Sequence, residues 1–346
     1  MTTYQGRRAA AIENQHLRVT VLREGGHIAE ILDKETGVNP LWTPPWRSIE
    51  HSDYGPSVYS EYGEGGDGSL LAGIMGHNLC LDIFGGPSLE EAAAGLPVHG
   101  EGAVARYELH TAGETLTQRA HLPVAQIAFQ RELELRGRTV RIRETVESLA
   151  AYDRPIGWTQ HVTLGPPFLE KGVTQFRASA TRSKVFEGKF GEDDYLRAGA
   201  EFEWPHGPRS DGRVEDMRVF NAARASSAFT THLMDPGRES AFFAAFSPAS
   251  RLAFGYVWKQ ADFPWLGIWE ENHSRTHAPW NGKSLTRGME FGVSPMPETR
   301  RAMIERGTLF GVPAYRWLPA KSRIAVEYWV IMMRTDAVPE RLERPA

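Results

Sequence analysis

The stretch Ile127-Ala128-Phe129-Gln130-Arg131-Glu132-Leu133-Glu134-Leu135-Arg136-Gly137-Arg138-Thr139-Val140-Arg141-Ile142-Arg143-Glu144-Thr145-Val146 decides the fold class. Ile127, Phe129, Leu133 and Leu135 share one parity, and so do Val140, Ile142 and Val146, with Arg141, Arg143 and Glu147 between them. Successive side chains of a strand point to opposite faces, so this alternation describes strands with one face in a core and the other in water. Arg136-Gly137-Arg138 joins the two runs as a hairpin turn. The product is half-buried antiparallel sheet.

The same pattern extends outward in both directions. Toward the N-terminus, His16–Leu22 and His27–Leu32 read as strands of a meander, broken by Arg23-Glu24-Gly25-Gly26 and Asp33-Lys34-Glu35-Thr36-Gly37. Toward the C-terminus come Ile156–Leu164, stopped by Gly165-Pro166-Pro167, then Ala241–Phe246, Leu252–Trp258, Trp265–Glu270 and Arg323–Met333. Residues 184–224 read as polar and irregular. Helix is confined to short turns at Ser88–Ala94 and Glu298–Arg306. Many short strands with turn signals between them predict an all-β sandwich or barrel, taken as a single domain over residues 1–346.

At 346 residues, 41% hydrophobic and 24% charged, the chain has the composition of a globular protein with a sizeable core. A formal charge of −4 lacks the basic footprint of a nucleic-acid binder. Met1–Arg8 is not followed by an apolar signal region, and no later apolar run reaches membrane-span length, which predicts a cytoplasmic protein without a membrane partner. The lone cysteine, Cys80 between Leu79 and Leu81, is expected as a small core residue.

The chemistry starts from Gly288-Met289-Glu290-Phe291-Gly292-Val293-Ser294-Pro295. Met289 and Phe291 point one way on a strand and Glu290 the other, so Glu290 faces either solvent or a cavity. Two upstream histidines sit in similarly unusual settings, Pro97-Val98-His99-Gly100 and Gly157-Trp158-Thr159-Gln160-His161. An imidazole titrates near neutrality, so Glu290 with His99 and His161 makes a proton-transfer set. His273 and His277 have the i, i+4 spacing of helical metal ligands, but their segment runs into Pro279 and lacks helix formers, so no metal is expected there. The glycine-rich 54–95 region reads as loops near a site. Trp42, Trp46, Trp265, Trp269 and Trp280 are candidate rings for stacking on sugars.

The ordered set His99, His161 and Glu290 resembles the galactose mutarotase-like superfamily, specifically its aldose 1-epimerase group. His99-Gly100 matches the histidine-glycine pair that follows a long loop in that family. Trp158-Thr159-Gln160-His161 matches its strand-borne second histidine, and Met289-Glu290 before Pro295 its late glutamate. Leu318-Pro319-Ala320-Lys321 echoes the turn before its last strand, without the glycine. The resemblance runs from about His16 to Met333. It implies a large antiparallel β-sandwich, the galactose mutarotase-like supersandwich, and an isomerase acting on a monosaccharide or sugar derivative without cofactor or metal. By the same resemblance Glu290 takes the proton of the anomeric hydroxyl, His161 protonates the ring oxygen, and His99 holds a hydroxyl or shares the acid role.

Two departures bear on the sugar. The family's loop arginine is missing from Gly76-His77-Asn78, which leaves Asn78 as the counterpart there and makes Arg287 the candidate for the lost charge if Gly288 marks a bulge. The family's sugar-binding aspartate has no secure match among Asp216, Asp235 and Asp262. Trp269 completes the expected binding set. A carbohydrate-binding or sensing protein without turnover, and an oligosaccharide lyase or hydrolase with a tryptophan-lined groove, are the competing readings.

Overall fold

The computed structural model describes residues 2–63 and 66–345, so Glu64 and Gly65 of the glycine-rich loop lie outside the described residues. The opening hairpin forms as its pattern dictates. Ile127–Arg136 and Thr139–Ser148 pair antiparallel, with Leu135 opposite Val140, inside an eight-stranded sheet. A second, 12-stranded antiparallel sheet covers its apolar face. Leu133, Leu135, Val140 and Ile142 from one side and Trp158, Val162, Met289 and Phe291 from the other share one buried core. Phe291 stacks on Trp258 of the opposite sheet at 4.3 Å between centroids.

Two positions break the apolar face of the hairpin. Arg131 and Glu144 both point into the core, where Nε of Arg131 donates to Oε1 of Glu144 at 2.6 Å. An isolated buried charge is strongly unfavourable, and this pair persists because its remaining valences are met. Glu144 also accepts from Trp158 Nε1, Gln160 Nε2 and the Tyr328 hydroxyl. Trp158 and Gln160 lie on Arg154–Leu164, so the network fixes that strand from behind.

This strand lies at the middle of the larger sheet. It is flanked by His77–Asp82 on one side and Leu285–Gly292 on the other, followed by Trp265–Asn272 and Ser226–Met234. Alternation then sorts the side chains. Trp158, Val162, Met289, Phe291, Leu266 and Ile268 face the core between the sheets. Thr159, His161, Thr163, Glu290 and Trp269 have the opposite parity and face outward.

The short helices form at Leu89–Ala93, closed by a Ser88 capping box with Glu91, and at Arg300–Arg306, capped by Thr299. Ser226–Met234 was not expected as a strand, because its serines, threonines and histidine weaken the apolar signal although every residue is buried. The 184–224 region contains strands of three residues, too short for a period to register. Among the described residues no helix is long and apolar enough to cross a membrane.

Candidate functional site

Register brings the residues together. Asn78, His161, Glu290 and Gly267 form one row across four neighbouring strands. Nε2 of His161 lies 3.1 Å from Oε1 of Glu290, and both side chains are buried. Nδ1 of His161 meets Oγ1 of Thr163 at 3.0 Å. The His99 ring stands 5.2 Å from that of His161. Three residues spread over nearly two hundred positions of sequence thus share one site.

Local backbone geometry explains the His99-Gly100 pair. His99 has φ +66° and Gly100 φ +77°, and a Cβ on Gly100 would lie 2.0 Å from the Leu81 carbonyl oxygen. Only glycine fits against the strand there. The turn aims the His99 ring so that its Nδ1–H donates to the Phe84 carbonyl at 2.5 Å, which leaves Nε2 as an acceptor.

Gly288 is explained the same way. The strand runs through it without a register shift, so it marks no bulge. A Cβ at Gly288 would fall 2.3 Å from Oε1 of Glu290. The missing side chain is the space into which the Glu290 carboxyl leans.

Glu290, His161 and His99 open onto a cavity of about 190 Å³, which also takes in Asp67, Arg275, His277, Phe84, Phe190, Phe229, Trp269 and Trp280. Burial holds the Glu290 carboxyl well above the ordinary carboxylate range. Burial, reinforced by His99, pushes His161 well below the ordinary histidine value. His99 is also lowered by burial, against its bond to Phe84. Both shifts favour the uncharged pair, a carboxylic acid beside a neutral imidazole that share one exchangeable proton.

Two expectations are corrected. Arg287 is not in the cavity. With no bulge at Gly288, alternation turns it to the other face, where it pairs with Glu270 at 3.3 Å and lies over the Phe176 and Phe220 rings. Asn78 stands beside His161 in register but is fully buried, with Nδ2 unpartnered, and does not line the cavity. The aspartate candidates also fall elsewhere: Asp216 pairs with Arg218, Asp235 with Arg238, and Asp262 lies near Arg316.

The cavity's charge comes from residues not singled out in the sequence. Arg275, from the loop after Trp265–Asn272, lies 4.9 Å from the Trp280 ring centre and 5.5 Å from that of Trp269. It pairs with the buried Glu271 at 3.4 Å, and burial lowers its pKa. Asp67 sits at the start of the Gly68–Gly73 helix. The usable signals were the glycine-rich loop that ends in Asp67 and the polar run from Glu271 to His277.

The tryptophans divide. Trp269 and Trp280 line the cavity. Trp42 and Trp46 pack on Trp280 with centroids 6.3 and 4.9 Å away, and Trp265 is fully buried. The five rings line no common groove. His273 Nδ1 donates to the Gly282 carbonyl, and His277 faces Glu192 at 3.2 Å. Among the described residues no three His, Cys, Asp or Glu side chains group to hold a metal ion.

Two large antiparallel sheets packed face to face make the chain a β-sandwich of the galactose mutarotase-like fold. Comparison with solved structures gives that fold directly. A candidate aldose 1-epimerase of Klebsiella pneumoniae superposes with a TM-score of 0.67 at 12% identity, over 97% of this chain and 82% of its own. A candidate aldose 1-epimerase of Escherichia coli K12 gives 0.63 at 12% identity, over 94% and 99%. A galactose mutarotase-like protein of Clostridium acetobutylicum gives 0.63 at 13%, over 97% and 98%. No protein-family model matches the sequence, and no curated protein matches it.

Proposed function

We propose that the protein interconverts the anomers of a monosaccharide or a close derivative, with Glu290 and His161 as the acid–base pair. The observation that carries this reading is the buried 3.1 Å contact between them at the floor of a small cavity. Burying a carboxyl and an imidazole costs desolvation that two apolar side chains would avoid, and clefts with such shifted groups are where proton transfer is found. The fold neighbours described as candidate aldose 1-epimerases support the same reading.

The proton that burial leaves on Glu290 passes to His161 across the contact. Glu290, now a carboxylate, takes the proton of the anomeric hydroxyl while the imidazolium gives one to the ring oxygen. The C1–O5 bond breaks and an open-chain aldehyde forms. After rotation at C1, closure on the other carbonyl face returns both protons by the reverse transfers. His99 accepts a hydrogen bond from a sugar hydroxyl through Nε2. Trp269 and Trp280 offer apolar faces to the ring, and Asp67 and Arg275 offer polar groups to its hydroxyls.

The cavity's size favours one sugar ring. At about 190 Å³ it is below the roughly 300 Å³ at which pockets for larger ligands begin. An oligosaccharide-cleaving role would use a long aromatic groove, and three of the five tryptophans are packed among themselves or buried instead. Polarimetry on freshly dissolved single anomers of a monosaccharide panel tests the proposal. Acceleration of mutarotation for at least one sugar is expected, and the spontaneous rate throughout would refute it.

A further inference from the structure

We infer that Thr163 is the positioning residue that fixes the tautomer of His161, accepting a hydrogen bond from Nδ1–H so that Nε2 is left to exchange a proton with Glu290 and the sugar. The inference rests on the acid–base reading of the pair given above. It assigns a role to a side chain that neither lines the cavity nor reaches the substrate.

The two residues are two apart on one strand face, both buried, with Thr163 Oγ1 3.0 Å from His161 Nδ1. The other ring nitrogen, Nε2, faces Glu290 Oε1. Each nitrogen faces one side chain, and the hydrogen bond made at Nδ1 selects whether Nε2 presents a lone pair or a hydrogen to Glu290. Its carboxyl is buried, and among the described residues His161 is its sole ion-pair or hydrogen-bond partner. Burial raises the pKa of that carboxyl and so favours its protonated form.

Proton exchange across the 3.1 Å contact requires the acid proton on Oε1 and a lone pair on Nε2. A neutral ring with a lone pair on Nε2 carries its hydrogen on Nδ1. Thr163 Oγ1 is therefore the acceptor. When the Glu290 proton moves to Nε2 the ring becomes imidazolium, and Nδ1–H still points at Oγ1. One hydrogen bond serves both states, so the ring need not turn during the cycle. In the opposite arrangement Thr163 donates to Nδ1 and Nε2–H donates to Oε1, which leaves the acid proton on Oε2 and gives the imidazole no lone pair with which to take it.

The experiment has two arms. In protein labelled with ¹⁵N-histidine, the His161 signal, assigned by its loss in His161→Gln, is expected to show a protonated Nδ1 and an unprotonated Nε2 at neutral pH. In Thr163→Val, which keeps the shape and removes the acceptor, the tautomers should mix. The kcat for anomer exchange should fall about 10- to 100-fold, the range found when a partner that orients a metal-bound histidine is lost, with KM nearly unchanged. The acid limb of the pH profile should move to lower pH, because the imidazolium has lost its acceptor. Thr163→Ser should restore tautomer, rate and profile together. An Nε2–H tautomer in the parent protein, or a Thr163→Ser as slow as Thr163→Val, would overturn the assignment. The tautomer measurement needs no turnover, so it decides the role of Thr163 even if the parent interconverts no sugar, an outcome that would instead refute the functional reading.

Discussion

Gly288 and Glu290 stand on the same face of one strand, and a methyl group on Gly288 would sit 2.3 Å from Oε1 of Glu290. The glycine is what allows the carboxyl to lie back along the strand toward His161. Its strand partner on the His161 side is Thr163, so the imidazole and the carboxyl lean toward the same row.

Gly288→Ala should therefore act on the chemistry more than on the fold. The atom in the way is the end of a flexible side chain, so the carboxyl swings off His161 instead of the sheet opening. A displacement on the order of 1 Å in a reacting group lowers turnover about 10²-fold. The accompanying loss of stability should be about 1–3 kcal/mol, as for other overpacked sites. Anomer-exchange rates and urea melts on the same preparation check both figures.

The pH profile of kcat should be bell-shaped with a plateau across neutrality. Activity requires one exchangeable proton on the Glu290–His161 pair. Its loss at high pH is delayed because burial raises Glu290, and addition of a second at low pH is delayed because burial lowers His161. The two limbs report macroscopic values of the pair. A single limb centred near the ordinary histidine value would contradict the coupling.

Glu290→Gln should gain stability relative to the parent as pH rises. Glu290 binds its proton more tightly in the folded chain than in the unfolded one. Its favourable contribution is complete below the ordinary value of 4.5 and is lost as pH rises through its raised folded value. Glutamine has no such loss and can still donate to Nε2. Near pH 5 the variant should lie within about 1 kcal/mol of the parent, one net hydrogen bond. Melting temperatures from pH 5 to 8 test the sign: a difference that stays flat over this range would mean that the folded Glu290 is already ionised at pH 5.

Arg275→Lys should weaken sugar binding and spare turnover. Lysine keeps the charge opposite Glu271 but not the planar group over Trp280. A desolvated cation–π contact is worth about 0.5–2 kcal/mol, so KM should rise by roughly 2- to 30-fold with kcat little changed. Initial rates over a concentration series separate the two parameters.

The fold was legible because its core-facing strands keep period two, as at Met289 and Phe291 around Glu290. It was less legible where burial is polar. Arg131 and Glu144 look like surface residues until their partners are known, and Ser226–Met234 is buried without being hydrophobic. In the site, His99, His161 and Glu290 announced themselves by disturbing local patterns. Arg287 misled because the sense of Gly288 depends on a side chain two residues away, which a linear reading cannot see. Asp67 and Arg275 come from loops, where no period marks the direction of a side chain, and reach the cavity only through tertiary packing.

The most direct test of the account is anomer exchange of the best sugar of the panel, followed by NMR for the parent and Glu290→Gln side by side with their thermal melts. The account predicts exchange well above the spontaneous rate for the parent, exchange at the spontaneous rate for the variant, and a cooperative melt retained by both. A Glu290→Gln protein that exchanges anomers as fast as the parent would contradict the assignment of Glu290 as the proton-transfer group.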